Sequence, residues 1–209
     1  MPDNPVSTLK VAILMFEDCD LLDTGGPYEV FLTASRLAER EGQPRPFDVD
    51  TVTVDGQPVK AYGGLGLVPS ARPDVLEDAN LVIVPGAIDL SAALSDSSLA
   101  EVLKKGVDRA STTMASVCTG AFLLSNVGAL EGKTWTTHWE DINLLTETTP
   151  NGAQRGVRWV DQDTVVTGGA LSSGIAMALH LVARFATLEL AERTALQLDY
   201  EWNNTSLAS

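Results

Sequence analysis

Cys118 is the residue whose setting most clearly suggests chemistry, because it directly follows a run that predicts a buried strand. It lies in the sequence Ser116-Val117-Cys118-Thr119-Gly120, where that strand meets a predicted helix. A sharp strand-to-helix turn of this kind, the nucleophile elbow, lifts the side chain out of the sheet. The N–H groups of Thr119 and Gly120 favour a thiolate there and can stabilise a developing negative charge. The alternative is a small cysteine buried in the core.

Asp23 is the acid best placed to act on that thiol. It follows the first predicted strand and precedes a helix that is expected to begin at Pro27. If the strands before Asp23 and Cys118 are neighbours in the sheet, the carboxyl group lies beside the thiol and can move its proton. The alternative is a helix cap or a solvated loop acid. The nearby acids are interpreted as solvated loop charges: Glu17, Asp18 and Asp20.

The chain has two histidines, and they receive different interpretations. His138 could form a Cys–His pair with Cys118, an arrangement that suits nucleophilic catalysis. The alternative is a structural histidine packed beside Trp139. His180 lies in an apolar helical stretch, which predicts a hydrogen-bonded packing residue.

Two further turns at predicted strand ends can border the same pocket. Gly86 and Ala87 can donate backbone N–H groups to it, and Gly168 begins a turn that permits close backbone approach. In the alternative, both turns are purely structural. Cys19 is interpreted as a loop thiol.

Metal and cofactor sites lack their usual sequence patterns. The histidines and cysteines do not occur at the short spacings of zinc sites. No GxGxxG opens a predicted helix, and there is no GxxxxGK[ST] phosphate loop. The sequence therefore predicts no metal site and no site for a dinucleotide or a nucleoside triphosphate.

Buried strands alternate with amphipathic helices along the chain, which predicts an α/β fold with a mainly parallel sheet. Such sheets place their chemistry at the carboxyl ends of the strands. Strands are predicted at 10–16, 47–54, 80–85 and 112–117, with a hairpin at 157–161 and 164–167. Helices are predicted from Pro27 onward and at 98–110, 119–129, 171–186 and 188–200.

Charge and composition exclude several classes of protein. The formal net charge of −14 argues against nucleic acid and anionic membranes, because binding either needs a basic surface. The longest obvious apolar run, residues 11–16, is far shorter than a membrane span, and residues 1–10 do not resemble a signal peptide. Two cysteines are too few for a disulfide scaffold. We expect a cytoplasmic protein.

Several separated motifs, in this order, resemble the ThiJ/PfpI superfamily and most closely its isonitrile hydratase branch. The resemblance extends over roughly residues 9 to 201. It is carried by the segments 22–30 (LDTGGPYEV), 84–86 (VPG), 115–121 (ASVCTGA), 132–133 (GK), 136–139 (TTHW), 167–169 (TGG) and 197–200 (QLDY).

The resemblance implies a flavodoxin-like sandwich with helices on both faces of the sheet, and a homodimer. One ThiJ/PfpI-like domain of the class I glutamine amidotransferase-like type would occupy residues 1–209, with residues 1–8 flexible. It implies that Cys118 is the nucleophile on the elbow and that Asp23 is its acid/base partner. Thr119 would follow the nucleophile as in the hydratases, where hydrolytic relatives tend to carry histidine. His138 matches a recurring histidine of the family.

The resemblance implies an activity that needs no cofactor and acts on a small-molecule substrate, the hydration of isonitriles to N-substituted formamides through a thioimidate on Cys118. One alternative is a non-catalytic redox or small-molecule sensor, and another is a glyoxalase- or deglycase-type enzyme of the same superfamily. Ala87 replaces a glycine that is usual in the hydratases, and residues 140–143 and 201–204 also differ from them. The same motifs occur in sensor domains fused to AraC-type DNA-binding modules. We expect no such module here, because few residues follow position 201 and the charge opposes DNA contact.

Overall fold

The computed structural model describes residues 8–207, so the N-terminal segment predicted to be flexible lies, except for Thr8, outside the described residues. Six strands form one sheet, and two short strands form a separate hairpin. The strands are β1 (Leu9–Leu14), β2 (Phe47–Val52), β3 (Val59–Lys60), β4 (Gly66–Leu67), β5 (Leu81–Val84), β6 (Thr113–Ser116), β7 (Trp159–Gln162) and β8 (Val165–Gly168).

The large sheet has the strand order β2-β1-β5-β6-β8-β7, in which every pairing is parallel except that of β7 with β8. This is the flavodoxin-like order with an antiparallel edge strand added. The predicted fold class and the predicted hairpin near residues 157–167 are therefore confirmed.

Eight helices are described between residues 8 and 207. They are α1 (Leu21–Arg40), α2 (Val75–Asp78), α3 (Ser91–Ser95), α4 (Ser97–Asp108), α5 (Gly120–Asn126), α6 (Ile142–Thr148), α7 (Ser173–Phe185) and α8 (Leu188–Gln197). The sequence patterns did not predict α2, α3, α6 or the β3–β4 hairpin. None of the helices in the described part of the chain is long and apolar enough to cross a membrane.

Both faces of the sheet are covered, which explains the continuous apolar run of β1. Val11 and Ile13 belong to the core cluster that includes residues of α1, α7 and α8. Ala12 and Leu14 belong to the opposite cluster, with residues of α4 and α5. A strand that is buried on both faces needs apolar residues at successive positions.

Residues 17–20 form a loop as predicted, but the predictions that the loop continues to residue 26 and that Pro27 opens the first helix are wrong. Helix α1 begins at Leu21 and contains Pro27 within it. The two glycines before Pro27 suggested a loop, but Gly26 lies in the helix, where an added Cβ would come 3.0 Å from the side chain of Ile175 on α7. Gly26 thus permits close packing of the two helices. As a consequence, Asp23 lies in the first turn of α1.

Candidate active site

The turn after β6 holds Cys118 in a left-handed backbone conformation with φ of +55°. Five described residues other than glycine have a positive φ, and the other four are aspartate or asparagine, which tolerate it more readily. A cysteine held in this region costs on the order of 1–3 kcal/mol and persists only where its surroundings enforce it. The predicted strand-to-helix elbow is present in the backbone.

Hydrogen bonds from three neighbouring segments fix this turn. The Cys118 N–H donates to the Gly169 carbonyl at 2.8 Å, and the Thr137 hydroxyl donates to the Cys118 carbonyl at 2.8 Å. The Val117 N–H donates to the Val84 carbonyl at 3.0 Å. Gly120 is required here, because an added Cβ would lie 2.8 Å from the Pro85 carbonyl oxygen.

Asp23 reaches the thiol, although the sheet does not place their strands side by side. Strand β5 separates β1 from β6, so the condition stated for their proximity is not met. Instead, the first turn of α1 carries Asp23 over the end of β5, where its Oδ2 accepts the Gly86 N–H at 3.0 Å. Asp23 does not cap the helix, and its Oδ1 has no hydrogen-bond partner among residues 8–207.

Asp20 is a third member of the site, and the interpretation of it as a solvated loop charge is wrong. One carboxylate oxygen from each of Asp20 and Asp23 and the Sγ of Cys118 lie within 4.8 Å of one another. Asp20 is 9% exposed and Asp23 is fully buried. Because α1 begins at Leu21, Asp20 and Asp23 are three residues apart at its N-terminal end, and each places a carboxylate oxygen near the Cys118 sulphur.

Burial raises the pKa of Asp23 to about 7; the Gly86 N–H opposes the rise and the nearby Asp20 adds to it. Burial also raises the pKa of Asp20, and His138 opposes that rise. Asp23 can therefore accept and release a proton near neutral pH, which is what a general acid/base needs.

The expectation that the elbow favours a thiolate is not met in the resting site. Burial raises the pKa of the Cys118 thiol to about 12, and the Asp23 carboxyl adds to the rise. The hydrogen bond from the Thr119 N–H opposes it but does not offset these effects. Cys118 is a thiol at neutral pH, so an attack by its sulphur requires a base beside it.

Three of the four predicted backbone donors are engaged within the protein. The Gly86 N–H is bound to Asp23, the Ala87 N–H donates to the Thr119 hydroxyl at 2.9 Å, and the Gly120 N–H donates to the Val117 carbonyl at 2.9 Å. The fourth, the Thr119 N–H, faces the sulphur.

The Thr119 side chain ties the elbow to the loop after β5. Its hydroxyl donates to the Ala87 carbonyl at 2.8 Å while it accepts the Ala87 N–H. This pair of bonds sets the position of the loop that carries Gly86, and thereby the hydrogen bond that Gly86 makes to Asp23. Thr119 thus contacts the site through its backbone and positions it through its side chain.

His138 lies at the edge of this cluster. Its Nδ1 is 3.4 Å from Asp141 and 3.7 Å from Glu140, and its ring packs against Trp139 with centroids 5.5 Å apart. Within residues 8–207 it has no hydrogen bond to Cys118. It acts on the site through Asp20, where its charge opposes the rise in pKa that burial causes.

The remaining candidate residues have structural surroundings. Gly168 ends β8, where an added Cβ would lie 3.1 Å from the Ser116 carbonyl oxygen. Cys19 is fully buried, with its sulphur 3.8 Å from the Thr24 hydroxyl. His180 is hydrogen-bonded to Asp161 at 2.7 Å and stacks on Trp159, as expected of a packing residue.

Asp20, Asp23 and Cys118 are the described residues that could together hold a metal ion. Two carboxylates and one thiol mix hard and soft ligands, and Asp23 already uses one oxygen to accept the Gly86 N–H. The absence of a metal requirement stays a prediction.

The model of the DJ-1/PfpI family matches residues 9–184 of the chain. The chain is 29% identical over 192 residues to an isonitrile hydratase from Pseudomonas putida, covering 92% of this chain and 78% of that one. It is 38% identical over 149 residues to a protein of Streptomyces lividans encoded in the cpoL 5′ region, covering 68% of this chain and 96% of that one. It is 25% identical over 199 residues to the HTH-type transcriptional regulator GbdR of Pseudomonas aeruginosa. There the match covers 95% of this chain, which spans about half of the regulator's length (52%).

Solved structures share the fold. A THiJ/PfpI family protein from Pseudomonas syringae matches with a TM-score of 0.78 and 24% identity, over 94% of this chain and 77% of that one. Drosophila melanogaster DJ-1beta matches with a TM-score of 0.78 and 16% identity, over 93% and 99%.

Proposed function

Because the chain belongs to the DJ-1/PfpI family, we propose that it is a cofactor-free hydratase that converts isonitriles to N-substituted formamides. One observation carries the proposal: the fully buried Asp23 carboxyl lies within 4.8 Å of the Cys118 sulphur and has a pKa of about 7. The 29% identity to an isonitrile hydratase supports the choice of substrate.

The first half of the reaction adds the Cys118 thiol across the terminal carbon of R–N≡C. Ionised Asp23 takes the thiol proton as the sulphur attacks, and it then delivers that proton to the same carbon. The S–H bond breaks while an S–C and a C–H bond form, which gives the thioimidate Cys118–S–CH=N–R. An unassisted thiol with a pKa of about 12 would attack slowly, so the adjacent base is essential.

The second half adds water to the thioimidate carbon. A carboxylate accepts a proton from the water, the nitrogen gains a proton, and the tetrahedral intermediate collapses with cleavage of the C–S bond. The products are H–CO–NH–R and the free thiol, so the sum is the addition of one water to the isonitrile. A carboxyl group with a pKa near 7 serves both halves because it alternates between acid and base.

We propose further that the chain forms one domain and a homodimer and works in the cytoplasm. Exposed apolar side chains sit next to site residues in the sequence, namely Leu21, Leu22, Ile88 and Trp139, and burying them in a dimer would favour association. Both cysteines are free, as suits a reducing compartment. Sedimentation velocity tests the dimer, which a monomer at micromolar concentration would contradict.

The activity is tested by following loss of the isonitrile infrared band with a para-substituted phenyl isonitrile and identifying the formamide by mass spectrometry. Turnover is expected for the unaltered protein and for Cys19→Ala, which removes the other buried cysteine. It should be absent in Cys118→Ala. An unaltered protein that leaves the band intact at high concentration would contradict the proposal, and turnover of methylglyoxal instead would favour a glyoxalase.

A second candidate is a small-molecule sensor, which the similarity to the regulator GbdR favours. The raised pKa of Cys118 argues against its redox version, since oxidation-sensitive cysteines have low pKa values. Asp23→Asn separates the candidates: a hydratase loses turnover, whereas a sensor keeps its ligand affinity, measured by calorimetry with the same isonitrile.

A further inference from the structure

Resting on the proposed function, we propose that Asp20 is a further catalytic residue, which together with Asp23 binds and activates the water that hydrates the thioimidate. The carboxyl groups of Asp20 and Asp23 and the Cys118 sulphur form a triangle of atoms within 4.8 Å of one another. A thioimidate on that sulphur has its electrophilic carbon one bond away, so both carboxyl groups face the atom that water must attack.

The upper limit of 4.8 Å between carboxylate oxygens of the two acids includes the spacing at which they can share one water. Two hydrogen bonds of about 2.7 Å to a single water place their acceptor atoms roughly 4.5 Å apart, given the water's near-tetrahedral angle. The water has two O–H groups, and the two carboxylates offer one acceptor for each. The Asp23 Oδ1 is fully buried without a hydrogen-bond partner, so it is available for this contact.

Asp20 and Asp23 have different roles in the hydration step because their surroundings differ. Asp23 is fully buried and bound to the Gly86 N–H, whereas Asp20 is slightly exposed and faces His138. The titratable groups around Asp20 are Asp23 and Cys19 from its own segment, Cys118 from the elbow, and His138 from the loop before α6. His138 is the group in this set that favours the ionised form of Asp20, the form that accepts a proton from water.

The proton balance of the hydration step follows from this division. Asp20 accepts one proton from the attacking water as the C–O bond forms, and this proton passes through Asp23 to the nitrogen. On collapse, the hydroxyl proton of the intermediate passes through Asp23 to the departing sulphur, so both carboxyl groups end the cycle ionised, as they began it. Asp20 is not needed for the first half of the reaction, in which Asp23 alone serves the thiol.

Removing the Asp20 carboxylate should slow the second half of the reaction and leave the first half intact. Asp20→Asn should still form the thioimidate but hydrate it slowly, so turnover falls by about 100-fold or more, as is typical for loss of a general base. Intact-protein mass spectrometry under excess phenyl isonitrile should then show one added isonitrile mass, located on Cys118. The unaltered protein should show no such accumulation. Asp18→Asn is the matched control, an exposed acid of the same loop, and should behave as the unaltered protein.

Different outcomes overturn different claims. Full turnover by Asp20→Asn, or loss of turnover with no adduct in a variant that melts normally, overturns the role of Asp20 and leaves the hydratase proposal standing. Neither turnover nor adduct in the unaltered protein overturns both. The Asp20 side chain makes no cap hydrogen bond in α1, so the amide variant should fold. Asp20→Ser repeats the test if it does not.

Discussion

Two buried or partly buried acids, at different places on the sheet, have opposite environments. Asp161 on β7 is hydrogen-bonded to His180 and accepts two hydrogen bonds from Arg184, at 2.9 and 3.1 Å. Partial burial alone would raise the pKa of Asp161, but the hydrogen bond from His180 and the charge of Arg184 outweigh it and hold the pKa below its ordinary value. Within residues 8–207, no cation influences the pKa of Asp23, and a second acid lies beside it.

The difference shows how the surroundings of two aspartates shift their pKa values in opposite directions. Both carboxyl groups are removed from water, but only Asp161 receives compensating charge. A permanently ionised Asp161 can fasten β7 to α7, yet it cannot release or accept protons at neutral pH. Asp23 contributes less to folding stability at neutral pH but can exchange a proton there. This is the trade-off expected at functional sites.

The largest expected effect is on turnover, when the charge of one carboxyl group, Asp23 or Asp161, is removed. Asp23→Asn should lower kcat for isonitrile hydration by about 1,000-fold or more, since the thiol loses its base. Asp161→Asn should leave kcat within about twofold, because Asp161 does not contact the site. Comparable losses in both variants would contradict the functional separation of the two acids.

The same two substitutions should change stability in opposite directions. A carboxyl group whose pKa is raised in the folded state contributes stability below its unfolded pKa of 3.8, and this is lost as the pH rises through about 7. Asp23→Asn should therefore stabilise the protein at pH 8, by about 2–4 kcal/mol, and have much less effect at pH 4. Denaturant unfolding at the two pH values measures this difference.

For Asp161 the pH dependence of folding stability has the opposite sign. Its lowered pKa contributes stability above the unfolded value, and that stability is lost as the pH falls through the folded pKa. Asp161→Asn should cost about 1–3 kcal/mol at pH 7, because Arg184 and His180 lose their charged partner. Matching destabilisation by Asp23→Asn at pH 8 would contradict the account.

A smaller effect should appear in the reactivity of the thiol. Asp23→Asn removes a negative charge that raises the pKa of Cys118, so more thiolate is present at pH 8. Alkylation of Cys118 by iodoacetamide, quantified on its own peptide, should become several-fold to roughly 10-fold faster in a variant that has lost turnover. Slower alkylation would mean that Asp23 does not raise the pKa of the thiol.

Sequence patterns could predict the strands and the turn that position this site better than they could predict its chemistry. The buried runs of β1, β5 and β6 and the elbow after β6 follow from local residue types. Asp23 was singled out, but for a reason that the strand order does not support. The thiolate expectation failed because the pKa of a thiol depends on burial and on charges from distant segments.

Asp20 was missed because the two glycines before Pro27 concealed the start of α1. Had the helix been predicted from Leu21, the spacing of three between Asp20 and Asp23 would have indicated two acids close together at one helix end. The hydrogen bonds of the Thr119 hydroxyl with Ala87 had no comparable signal, since they join segments 32 residues apart.

The most direct test of the account is a pH titration of the Asp23 carboxyl by ¹³C NMR, with its resonance assigned from the difference between the unaltered protein and Asp23→Asn. We expect a midpoint near pH 7 for Asp23, with Asp161 titrating below its ordinary value in the same sample. A midpoint for Asp23 near 4 would show that the buried carboxyl is ionised throughout the neutral range. It would contradict the assignment of Asp23 as the acid/base partner of Cys118.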